Sequence, residues 1–123
     1  MDQNLITGNI VDSALKVHTA LGPGLLESAY EACLIHELSK RHFKTASQIS
    51  LPVFYDGVTI DLGYRIDLLV EDEVIVELKA VERLHPVHKA QLLSYLKLSK
   101  KHVGLLLNFG ELHLKDGIER VIL

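Results

Sequence analysis

The chain has 123 residues, 48% of them hydrophobic and 24% charged, which is the size and balance of one globular domain and excludes an intrinsically disordered protein. Thirteen basic residues against sixteen acidic ones leave a formal charge of −3, so no overall positive field gathers nucleic acid, and a polyanion must be held by a local patch. The single cysteine, Cys33, excludes an internal disulfide and suits a reducing compartment.

The opening MDQNLITGN lacks the basic and apolar pattern of a secretory leader, and no apolar run approaches the roughly 20 residues of a membrane span. A cytoplasmic chain without membrane contact is expected. No repeat, low-complexity tract or linker interrupts residues 1–123, so one domain is expected.

Apolar positions at Ile10, Val11, Ala14, Leu15, Val17 and Leu21, with the partly apolar His18, predict a helix over 5–21. Gly-Pro-Gly at 22–24 stops it. A second helix is predicted over 25–42 from the stripe Leu26, Ala29, Tyr30, Cys33, Leu34 and Leu38, with Cys33 as a buried, inert thiol. From about 47 the pattern changes to strand. QISLPVFY reads as an edge or bulged strand because of Pro52, and Asp56-Gly57 as a hairpin turn. The next strand, VTIDLGYRIDLLV, carries Gly63 at a bulge or bend. HPVHKAQLLSYLKLSK is helical, with Pro86 in its first turn, and VGLLLNF at 103–109 reads as a strand covered on both faces. A last hairpin, 112–115 with 118–122, turns on Asp116-Gly117. This order gives an α/β fold with a mixed sheet.

The segment RIDLLVEDEVIVELKA, 65–80, reads as a hairpin with the three-residue loop Glu71-Asp72-Glu73. Strict alternation places Arg65, Asp67 and Leu69 on one face, and Ile75, Glu77 and Lys79 likewise. Pairing Val70 with Val74 then sets Leu69 against Ile75, Asp67 against Glu77 and Arg65 against Lys79. Two carboxylates facing across a ladder repel unless one holds a proton or a cation lies between them. Oxygen donors favour a hard divalent ion, Mg²⁺ or Mn²⁺. The plainer reading is a solvated face whose charges are bridged by Arg65 and Lys79.

The spacing Asp67…Glu77-Leu78-Lys79 resembles the core of the PD-(D/E)XK nuclease superfamily. GLLESAY, with Gly24, Glu27 and Tyr30, resembles the signature of its GxxExxY family. AQLLSYL at 90–96 resembles the Gln-x-x-x-Tyr element found in some of these nucleases, and VGLLLNFG and LKDGIERVI resemble the C-terminal end of the same family. The resemblance implies a three-layer, restriction-endonuclease-like α/β fold: a central mixed β-sheet flanked by α-helices, with the site where two central strands splay apart. It implies that Asp67, Glu77, the backbone carbonyl of Leu78 and Glu27 bind Mg²⁺ or Mn²⁺. It also implies that Lys79 positions or deprotonates the attacking water, and that Gln91 and Tyr95 orient Lys79 or touch a phosphate. The position of the motif's proline holds Ile66.

Taken alone, Glu27 suits a helix dipole, and Gln91 with Tyr95 a polar edge of a core helix. His85 and His88 lack the partners a zinc site needs. His88 and Lys89 could contact a phosphate, and Arg83, His85, His88, Lys89, Lys97, Lys100, Lys101 and His102 form a candidate basic patch or simply a solvated face. No G-x-S-x-G elbow or P-loop is present. The expected function is a small metal-dependent nuclease acting on DNA or RNA. The alternative is a non-catalytic module that keeps the nuclease fold and serves a protein or nucleic-acid partner. A two-fold homodimer would suit so small a domain on a duplex.

Overall fold

The computed structural model describes residues 1–123. Helix α1 (Gln3–Leu21) starts two residues earlier than predicted because Asp2 caps it, its carboxylate accepting from the Asn4 N–H at 2.9 Å. Gly22, at φ 68°, ends it in a conformation that glycine adopts without strain. Helix α2 (Glu27–Lys40) is shorter than predicted at both ends. Glu37 on α2 ties it to α1 through Lys16 at 3.1 Å and to its own last turn through Lys40 at 2.8 Å. The hydrogen bond from Lys40, then that from Lys16, hold its carboxyl well below the usual value, down to about 2. No helix is long and apolar enough to cross a membrane.

The predicted strand through Pro52 is two strands, β1 (Thr45–Ser50) and β2 (Val53–Tyr55), and the one through Gly63 is also two, β3 (Val58–Ile60) and β4 (Arg65–Val70). Pro52 and Gly63 act as ends rather than bulges. Gly63 takes φ 78°, and its N–H bonds the Asp61 carboxylate at 2.9 Å, turning the chain between β3 and β4. As a result β2 and β3 form a separate two-stranded hairpin on the Asp56-Gly57 turn, with Phe54, Tyr55, Val58 and Ile60 exposed.

The main sheet adds β5 (Val74–Lys79), β6 (Val103–Asn108) and β7 (Ile118–Ile122) in the order β1-β4-β5-β6-β7. Only β5 and β6 run parallel, joined by the crossover helix α3 (Pro86–Ser99). Every residue of β6 is buried, as its continuous apolar run predicts. The predicted hairpin at Asp116-Gly117 is absent. Residues Leu114–Gly117 form one 3-10 turn, and β7 pairs with β6 instead. Gly117 is packed so closely on Asn108 that a Cβ there would lie 2.9 Å from the Asn108 Cβ, so this glycine serves a contact rather than a reversal.

Two cores lie on the two faces of the sheet. Ile6, Ile10, Ala14, Tyr30, Leu34 and Leu38 of α1 and α2 pack on Leu68, Val70, Val74, Val76 and Leu78. On the other face Leu92, Tyr95 and Leu96 of α3 pack on Ile66, Ile75, Leu106 and Val121. This is the three-layer arrangement of a mixed sheet between helices, consistent with a restriction-endonuclease-like fold.

Candidate active site

The loop Glu71-Asp72-Glu73 closes the β4–β5 hairpin with Glu71 at φ 53° and Asp72 at φ 56°, and Val70 pairs with Val74 as the loop length requires. Leu69 then faces Ile75 and Leu68 faces Val76, where the ladder ends. Asp67 and Glu77 are therefore not a ladder pair, nor are Arg65 and Lys79. Arg65 reaches the Gln48 carbonyl at 3.4 Å instead.

The expected alternation also breaks at Asp67. Leu68 and Val70 belong to the α1/α2 core, yet Ile66, two residues before Leu68, belongs to the α3 core. Across the β1–β4 ladder the same interval is unpaired, between Ser47↔Leu68 and Ile49↔Ile66, and Gln48 there takes φ 53°. The local twist frees Asp67 from the pleat. It faces the α2 side and lines a cavity of about 450 Å³ with Glu27, Ser28, Glu31, Gln48 and Leu78.

Glu77 comes from the other side. It shares alternation with Ile75 of the α3 core and is 4% exposed. The two acids meet through the gap where β4 and β5 separate. Glu77 Oε1 lies 3.4 Å from the Asp67 N–H, and Asp67 Oδ2 accepts from the Leu78 N–H at 2.9 Å. Burial, then the contact with the Asp67 carboxyl, push the Glu77 carboxyl up to about 9. Neither acid takes part in any of the molecule's four salt bridges.

Glu27 is the first residue of α2 and lies on the shared cavity. Lys79, half-buried, ends β5. Its charge, after burial, lowers the His88 imidazole, and Glu27 opposes that shift, so His88 lies within the fields of both. His88 Nδ1 accepts from the His85 N–H at 3.1 Å, which leaves Nε2 to carry the proton of the neutral ring. Tyr95 is 7% exposed and lies against Tyr64, with ring centroids 6.2 Å apart. Its phenol is raised by burial and then by the charges of Glu77 and Asp67. Gln91 sits one turn earlier on α3, half-buried, and Lys89 is exposed near the helix start.

Three cavity residues, Ser28, Glu31 and Gln48, escaped the sequence reading. Glu31 is raised mainly by burial, and it accepts from Gln48 Nε2 at 3.0 Å. Its position four residues after Glu27 puts both on one helical face, a signal that could have found it. Gln48 had no local signal, because its role comes from its position opposite Asp67.

The donor set suits a hard divalent ion in its chemistry: a buried carboxyl and its neighbour converge, and neither is in a salt bridge. No three His, Cys, Asp or Glu side chains gather at metal-holding distance, so backbone carbonyl and water oxygens would complete the shell.

No curated protein and no solved structure matches the chain. The family model of the PD-(D/E)XK nuclease superfamily matches residues 4–121, a span that takes in both acids, Lys79 and all but the terminal residues of the three helices and the main sheet. A match over nearly the full length, on a chain whose central strands part at the acids, leads to one conclusion: the chain belongs to the PD-(D/E)XK nuclease superfamily.

Proposed function

We propose that this protein is a divalent-metal-dependent phosphodiesterase of the GxxExxY type that hydrolyses nucleic-acid backbones. The observation that carries the reading is the buried Glu77 carboxyl set against Asp67, with neither acid in a salt bridge. In this reading Asp67, Glu77 and the Leu78 carbonyl hold Mg²⁺ or Mn²⁺, with Glu27 contributing from the facing helix. The ion, when bound, supplies Lewis acidity at the phosphate and makes water acidic enough to ionise near neutral pH.

The chain's own residues do the rest. Lys79, next but one to Glu77, orients the attacking water and accepts or stabilises its proton load. Tyr95 and Gln91 line the α3 side and hold Lys79 or a phosphate oxygen in place. Arg83, His88 and Lys89 at the start of α3 bind the flanking backbone. Between 83 and 102 the chain has five Lys or Arg and no Asp or Glu. Lys101 pairs with Asp72 at the far end of α3, and the exposed Arg83 and Lys89 at its start are the local place for a polyanion in this reading.

The test is calorimetry with Mn²⁺ together with a panel of single- and double-stranded DNA and RNA. Expected are binding of the ion, cleavage of at least one substrate, and a loss of about 10²- to 10⁴-fold in Lys79→Ala with ion binding retained. Absence of ion binding and cleavage, or full activity in Lys79→Ala, overturns the proposal. Nucleic-acid binding without cleavage would identify a non-catalytic binding module.

A further inference from the structure

Strand β6 is apolar until its last residue, Asn108, which is fully buried and stands opposite Lys79 in the parallel register. A buried amide needs partners, and all those of Asn108 lie just beyond Lys79 or just beyond itself. Its Oδ1 accepts from the Val81 N–H and the Gly110 N–H, each at 3.0 Å, and its Nδ2 donates to the Val81 carbonyl at 2.9 Å. The next residue adds a fourth bond, Phe109 N–H to the Lys79 carbonyl at 2.8 Å.

The regular ladder ends at Lys79, so these bonds replace it over the stretch where the chain leaves the sheet. The fit is close on two sides. A Cβ at Gly110 would lie 2.7 Å from the Val81 nitrogen, and one at Gly117 would lie 2.9 Å from the Asn108 Cβ. The contact also extends to the other layer. The Phe109 ring stacks on Tyr30 at 4.5 Å and 17°, and the Tyr30 hydroxyl donates to the Gly22 carbonyl at 2.6 Å and accepts from the Leu25 N–H at 3.0 Å. Those bonds fix the turn that delivers Glu27.

We propose that Asn108 is a positioning residue for Lys79. It clamps Val81 and so holds the end of β5 at a fixed angle, while Phe109 and Tyr30 hold the start of α2 to the same frame. The inference rests on Lys79 acting in phosphodiester hydrolysis. The Asn108 side chain is fully buried and its amide is taken up by Val81 and Gly110, so it acts through Lys79. Its effect falls on the geometry of Lys79, hence on the chemical step rather than on substrate affinity.

The experiment compares Asn108→Ala and Gly110→Ala with the parent chain, using Mn²⁺, a substrate that the parent cuts, and rates normalised to folded protein. Expected is a fall in kcat of about ten- to hundredfold with KM changed by less than about twofold, since small misplacements act on the transition state. Alongside, exchange of the Val81 amide should quicken and the Lys79 side-chain Cε resonance should shift. An unchanged kcat per folded molecule in both variants overturns the proposal, as does a Val81 amide unprotected in the parent. Should Asn108→Ala fail to fold, Asn108→Ser, which keeps one hydroxyl in the pocket, carries the same readouts. If the parent cuts nothing, the nuclease reading fails separately. The Lys79 resonance then decides this one: a shift in the variants sustains the clamp, and no shift removes it.

Discussion

Glu77 and Asp67 reach each other from opposite faces of the sheet, with the Glu77 carboxyl 3.4 Å from the Asp67 backbone nitrogen. A metal-free molecule resolves the conflict between two acids by keeping a proton on Glu77, whose affinity for it is pushed up to about 9.

The sign of the resulting pH dependence is fixed. An acid that titrates higher in the folded state than its ordinary 4.5 binds its proton more tightly when folded, so its contribution is full below 4.5 and is lost as pH rises toward 9. Urea unfolding of the metal-free chain should show stability declining over that window. Glu77→Gln should flatten the decline and stand above the parent at its alkaline end. A parent curve that is flat from 4.5 to 9 contradicts the burial and pairing of Glu77.

The same proton gives the ion a visible signature. If Glu77 holds Mn²⁺ it must ionise to do so, and binding at pH 7 should then release close to one proton, read as a buffer-dependent heat in calorimetry. Stability should rise by about 2.7 kcal/mol when the ion stands a hundredfold above its Kd. Glu77→Gln should abolish both effects.

Glu37 has the opposite sign. Lys40 and Lys16 hold it down to about 2, below its ordinary 4.5, so its contribution is present above 4.5 and disappears as pH falls through 2. Glu37→Gln should be less stable than the parent at neutral pH and should converge with it in acid. Denaturation curves at acid and neutral pH test this, and a gap that persists in acid argues against the link.

Tyr30→Phe keeps the stack on Phe109 but removes the hydroxyl that bridges Gly22 and Leu25. Tyr30 is fully buried, so the loss should cost about 1–3 kcal/mol by urea unfolding. A cost near zero would mean that the turn before Glu27 does not depend on this bridge.

If the start of α3 binds a nucleic-acid backbone, Lys89→Ala and Arg83→Ala should each weaken binding without changing sequence preference. Each should also reduce the slope of log affinity against log salt by about 1. An unchanged slope would place the backbone elsewhere.

Where the determinants are local, the sequence was legible. The loop Glu71-Asp72-Glu73 and the pairing Val70↔Val74 followed from turn length, and the burial of β6 from its unbroken apolar run. Asp67 and Glu77 could be singled out because charges in apolar strands stand out. Their meeting from opposite faces could not be read, because the break in alternation depends on Gln48, nineteen positions away and across the ladder. Asp116-Gly117 misled for a similar reason. The pair is a local turn signal, but Gly117 answers to its contact with Asn108.

The hairpin of β2 and β3 is joined to the rest of the fold at both its ends but belongs to neither core. A two-stranded ribbon of this kind has little stability of its own, so Asp56-Gly57 is the point where a protease should nick first. The nick would split the chain into pieces 1–56 and 57–123, with β1 in one and β4 in the other, still joined by their ladder and by the helices packed over the sheet. Pieces 1–56 and 57–123 expressed separately should therefore reassemble on mixing, read by recovery of helical circular dichroism, each carrying part of the acidic centre, Glu27 on the first and Asp67 with Glu77 on the second.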